Sequence, residues 1–101
     1  MNIRKIKVGP FEYEVELKTD YTTTHKKHFG TADHEILKIW VSKDIHPVVE
    51  IETLFHEAMH CVDYVYNNNS LEEDQVRELS LGLTALIKDN KTFFKKLLDI
   101  L

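Results

Sequence analysis

Short alternating runs open the chain, and helical periodicities close it. Over residues 3–8 apolar and basic side chains interleave (Ile3, Arg4, Lys5, Ile6, Lys7, Val8), and over 12–17 Glu12, Glu14 and Glu16 alternate with Tyr13, Val15 and Leu17. A period of two belongs to strands, and the intervening Gly9-Pro10 is turn chemistry, so the two runs predict a β-hairpin. Its basic and acidic faces predict cross-strand charge pairs. Residues 19–34 are polar, with Thr22-Thr23-Thr24, Lys26-Lys27 and Gly30, and are expected to form a loop. Ile36-Leu37-Lys38-Ile39-Trp40-Val41 is β-branched and apolar enough for a third strand, anchored by Trp40 and ended by Asp44 to Pro47.

From Pro47 the period changes. Ile51, Leu54, Phe55, Ala58, Val62 and Val65 recur at helical spacing, and Pro47 suits the first turn, so a long helix is predicted to about Tyr66. Asn67-Asn68-Asn69-Ser70 forms a turn. Ser70 can cap a second helix with Glu73 at the capping-box position, and Val76, Leu79, Leu83 and Leu86 give that helix its stripe. Asp89-Asn90 breaks it, and Phe93, Phe94, Leu97, Leu98 and Leu101 predict a short final helix. The expected fold class is α+β: one domain over residues 1–101, with a hairpin and a third strand packed on a long helix, then two C-terminal helices.

Composition narrows the setting. A chain of 101 residues with 43% hydrophobic content supports one modest core, and a bound metal crosslinking two helices would add to its stability. The apolar stretches are too short to span a membrane, and the charged first twenty residues contain no secretory apolar segment, so a cytoplasmic location is expected. The single cysteine, Cys61, excludes an internal disulfide and is expected to be a small buried side chain. A net charge of −4 argues against nucleic acid as the main partner. Lys91, Lys95 and Lys96 form a solvated face on the last helix.

The chemistry concentrates in the long helix, at His56-Glu57-Ala58-Met59-His60. Two histidines four residues apart share one helix face, where both can bind a single Zn²⁺, and the glutamate between them sits where a general base is needed. Catalytic zinc takes three protein ligands and keeps one position open, so one ligand remains to be found. Asp63, Glu72, Glu73, Asp74 and Glu78 are the candidates. Asp63 more naturally orients His60 from behind. Glu72 and Glu73 precede the stripe of the second helix and either can point inward; Glu73 is favoured, although a capping box would hold its side chain elsewhere.

The segment Thr53 to Asp63 resembles the active-site helix of small phage-type HEXXH proteins, and Glu73 to Leu83 (EDQVRELSLGL) resembles the helix that follows it there. The layout is similar to compact gluzincin-like metallopeptidases, distantly including the ImmA/IrrE group, with Phe29-Gly30 to Trp40 matching their pre-helix strand. The likeness covers roughly residues 28–90. Leu86 to Asn90 lacks the proline element of the ImmA/IrrE proteins, so the small phage-type family is the closer match. The resemblance implies a minimal zincin-like domain, with Glu57 as general base and His56, His60 and a glutamate of the second helix, best matched by Glu73, as ligands. Zinc would bring the pKa of water toward about 7, and Glu57 would take its proton. A peptide or protein would be the substrate. Tyr21, His25, His28, His34 and Tyr64 are the available donors for the developing oxyanion, and the Lys38–Val41 strand could pair with an extended substrate. Two alternatives stand beside the peptidase. One is a zinc-stabilised phage-type binding or regulatory module with little turnover, and the other is a helical interaction domain in which the pentad is accidental.

Overall fold

The computed structural model describes residues 2–19 and 29–101. Among these residues four strands, β1 (Lys5–Val8), β2 (Phe11–Lys18), β3 (Gly30–Asp33) and β4 (Lys38–Ser42), precede three helices, α1 (Pro47–Tyr66), α2 (Glu73–Asp89) and α3 (Lys91–Ile100). The architecture is α+β, with a mixed four-stranded sheet in the order β1-β2-β4-β3. β1 and β2 are antiparallel, β2 and β4 parallel, and β3 and β4 antiparallel.

The predicted hairpin forms. Gly9 adopts a φ of 58°, while the ring of Pro10 holds its own φ negative, which matches a two-residue turn of the II′ kind. One charge pair of the expected kind crosses the hairpin, Lys5 to Glu12 at 3.2 Å, and a second, unexpected one joins Lys38 of β4 to Glu16 of β2 at 3.2 Å. The third predicted strand is shifted by two residues, because residues 34–37 form a turn in which Leu37 takes a φ of 55°. Its anchors are Ile39 and Val41, both fully buried, whereas Trp40 points to the opposite face and is only half-buried beside Lys38.

β3 lies where a loop was expected. Gly-Thr-Ala-Asp shows no apolar alternation, and backbone pairing with β4 alone defines the strand. It is therefore an edge strand, and β4 is an interior one. This removes Lys38–Val41 as an edge for substrate pairing.

α1 begins as predicted, with Pro47 in its first turn and the His46 ring accepting the Val48 N–H at 3.1 Å. Its buried face is Glu50, Leu54, Glu57 and Cys61, with Val65 packed at the margin, whereas Ile51 and Val62 are exposed. Those positions hold two carboxylates and a thiol, so hydropathy alone points to a neighbouring face. In α2 the interior row is Val76 and Ser80, the Ser80 hydroxyl bonding the Val76 carbonyl, and Leu79 is exposed. No residue of α3 is buried. Among the described residues, no helix is long and apolar enough to cross a membrane.

Candidate metal centre

α1 lays the pentad along the sheet with its members at different depths. Glu57 is turned inward and is 7% exposed. His56 and His60, one turn apart, stand at the helix edge and remain partly accessible. Their Nε2 atoms are 3.1 Å apart, and the rings meet edge to face.

Glu73 completes the cluster from the first turn of α2. Its Oε1 lies 2.8 Å from His56 Nε2 and its Oε2 lies 2.8 Å from His60 Nε2. The start of α2 frees it to do so. The helix is capped by Glu72, not Ser70, and the capping box joins Glu72 to Gln75, whose side chain accepts the Glu72 N–H at 2.8 Å. The capping box thereby engages the Glu72 side chain at the start of its own helix. Ser70 instead closes the preceding turn, its hydroxyl donating to the Asn67 carbonyl at 2.8 Å.

Asp63 does not orient His60. It is buried, and its carboxylate accepts the Asn67 side-chain amide at 2.9 Å and the N–H groups of Ser70 and Leu71 at 3.2 Å each. It fixes the α1–α2 connection and so sets where Glu73 lands. Asp74 pairs with Arg77 at 2.9 Å, outside the cluster.

Two triads can be drawn here. His56, Glu57 and His60 offer ligand atoms within 4.8 Å of one another, while His56, His60 and Glu73 approach to 2.8–3.1 Å. Ligand atoms around one tetrahedral zinc, with bonds of about 2.0–2.1 Å, stand about 3.3 Å apart. The second triad is nearer that geometry, and its two imidazoles and one carboxylate are a donor set that zinc accepts. The residues present fit the ion, with Glu57 beside the triad rather than in it.

Burial, reinforced by the neighbouring charge of Glu73, pushes the Glu57 carboxyl up to about 8. Burial lowers His56, against the pull of Glu73. It also lowers His34, with His60 adding to the effect. Burial pushes the Cys61 thiol up to about 12, and Tyr13 up to about 12 with Cys61 contributing.

Two clefts meet at the triad. A cleft of about 340 Å³ is lined by Gly30, Thr53, His56, Glu57 and Glu73, with Arg77, Ser80, Leu81 and Thr84 of α2 on its far wall. A second, of about 260 Å³, runs along Gly30, Thr31 and Ala32 to His34, with Glu57, His60 and Glu73 opposite. β3 thus borders both. A Cβ at Gly30 would stand 2.7 Å from Thr53 Cγ2 and 2.8 Å from the Trp40 carbonyl oxygen, so glycine is what lets β3 lie so close to α1.

Of the candidate oxyanion donors, His34 borders the second cleft and Tyr64 stacks behind it, while Tyr21, His25 and His28 fall outside the described residues. Sequence reasoning missed Arg77 and Thr84. Their spacing of four and eleven residues from Glu73 was the available signal, since both share its helix face. Compared with protein-family models, curated proteins and solved structures, the chain matches none of them.

Proposed function

We propose that the protein is a zinc-dependent metallopeptidase in which His56, His60 and Glu73 hold the metal and Glu57 is the general base. The convergence of three ligand-type side chains at 2.8–3.1 Å, from two helices, carries this reading. The likeness of residues 53–63 and 73–83 to the paired helices of small phage-type HEXXH proteins supports it.

Bound there, zinc supplies the Lewis acidity that polarises a carbonyl and makes water acidic near pH 7. Glu57 accepts the proton from that water and returns it to the departing amine. Its place suits the task, since the side chain lies beside the triad and lines both clefts. Among the described residues β3 is the outer strand of the sheet, and an extended peptide pairing along it would run past both clefts. Because Asp63 is committed to the α1–α2 connection, three protein ligands remain among the described residues, and a fourth position would be left for water and substrate. A purely structural site, normally closed by four ligands, is therefore the weaker reading.

The test is Glu57→Gln with zinc content and hydrolysis of a mixed peptide library measured together. Zinc at wild-type occupancy with hydrolysis abolished is expected. An unchanged rate removes Glu57 from the mechanism. A zinc-loaded wild-type chain that cleaves nothing in the library favours the zinc-stabilised regulatory module.

A further inference from the structure

His34 borders the second cleft with Glu57, His60 and Glu73, and the chemistry above does not use it. Its position is set from several directions. Asp33 Oδ1 accepts the N–H groups of Glu35 and Ile36 at 3.0 and 3.3 Å, which closes the turn that carries it. The imidazole lies flat on Tyr64, with centroids 4.2 Å apart and planes 6° apart. Its Nδ1 is 2.9 Å from the hydroxyl of Tyr13. A side chain pinned by a turn, a stacked ring and a buried phenol is held in one orientation, which is what a group acting at a fixed point in a cleft requires.

Tyr13 is fully buried, in the same apolar cluster as Cys61. Across the 2.9 Å contact either the phenol donates to Nδ1 or an Nδ1–H donates to the phenolic oxygen. A phenol is the stronger donor and an imidazole nitrogen the stronger acceptor, so the hydroxyl donates to Nδ1. A neutral imidazole that accepts at Nδ1 carries its hydrogen at Nε2. With Nδ1 engaged in the interior, Nε2 is the nitrogen left for the cleft.

We infer that Tyr13 fixes His34 as the Nε2–H tautomer, and that His34 donates this N–H to the carbonyl oxygen of a peptide lying in the second cleft. Tyr13 is the positioning residue and His34 the catalytic donor. The donor role rests on the peptidase reading, whereas the tautomer does not. The opposite tautomer would present a lone pair at Nε2 and accept where the proposal needs a donor.

Long-range proton–nitrogen NMR of histidine-labelled protein at neutral pH reads the tautomer directly. His34 is expected to be protonated at Nε2 in the wild type and to lose that preference in Tyr13→Phe. Protonation at Nδ1 overturns the proposal, and the wild-type spectrum decides this even where Tyr13→Phe fails to fold. Zinc titration separates donor from ligand: His34→Ala should bind zinc as the wild type does, and a tenfold or larger loss makes His34 a ligand and overturns the donor role. Acetohydroxamate, an oxygen-donor probe for the zinc-loaded protein, should bind about tenfold more weakly to His34→Ala, the loss of one hydrogen bond. His34→Gln, whose amide still donates, should recover part of that loss, and unchanged acetohydroxamate affinity in His34→Ala overturns the donor role. A wild type that binds no zinc defeats the peptidase reading but leaves the tautomer result standing.

Discussion

The sheet with α1 and the pair α2–α3 are built on different terms. Val8, Tyr13, Val15, Ile39, Val41, Leu54 and Cys61 form one apolar cluster between the sheet and α1. The two following helices contribute only Val76 and Ser80 to the interior, and they leave Leu79, Leu86, Leu98 and Ile100 exposed. The first half is held by burial. The second is held at its start, by the Asp63-centred connection and by Glu73 against the two histidines. Polar convergence thus does at the α1–α2 junction what apolar packing does beneath α1. An ion that replaces those hydrogen bonds with coordination would strengthen the weaker half selectively.

This contrast sets the expected order of effects. Ile39→Ala, in the sheet half, should cost about 2–5 kcal/mol of unfolding free energy, a full side chain removed from a closed core. Urea denaturation checks it, and a loss below about 1 kcal/mol would mean that the sheet is not where stability resides. Zinc should come next. At a free concentration a hundredfold above Kd it adds about 2.7 kcal/mol to the wild type and nearly nothing to Glu73→Ala or His56→Ala. Hydrogen exchange should place the new protection in α2 and little of it in the sheet. Protection spread evenly over both halves would erase the distinction.

Gly30→Ala tests the seam between β3 and α1. The added methyl meets Thr53 and a backbone oxygen of Trp40, neither of which moves freely, and the cost should be about 1–3 kcal/mol with peptide hydrolysis reduced. A neutral result would show that β3 is not pressed against the helix. Glu57 should change the shape of a pH curve. Folding raises its carboxyl from 4.5 to about 8, so the folded chain favours the protonated form. Its stabilising contribution is complete below pH 4.5 and disappears as pH rises through about 8. Zinc-stripped wild type should therefore lose thermal stability over that range relative to Glu57→Gln; parallel curves would contradict the buried placement. The smallest effect belongs to Leu86→Ala in the second half, where an exposed side chain should change stability by no more than about 0.5 kcal/mol.

The legibility of the sequence follows the same division. The hairpin, α1 and both later helices are readable because their periods of two and 3.6 are carried by side chains in consecutive residues. β3 is not, because Gly30 to Asp33 is defined by its backbone pairing with β4, a partner no local pattern discloses. The pentad was legible as a spacing, yet its depth was not: Leu54 and Cys61 flank Glu57 on the sheet side, and the carboxylates of Glu50 and Glu57 disguise that face as polar. The third carboxylate turned on a two-residue difference in helix start. With Ser70 as the cap Glu73 is held at its own terminus, and with Glu72 as the cap it reaches the histidines. Asp63, expected beside His60, is taken by backbone donors of a turn whose shape depends on Asn68 and Asn69 in the left-handed region, with φ of 55° and 52°.

The central claim is that two helices meet at one zinc ion. Crystals grown with one equivalent of zinc, with anomalous diffraction collected at its absorption edge, test it most directly. One strong peak is expected per chain, within bonding distance of His56 Nε2, His60 Nε2 and a carboxylate oxygen of Glu73, with Glu57 near but not bonded. A map with no peak there, or with zinc bound only at exposed carboxylates elsewhere, would contradict the account.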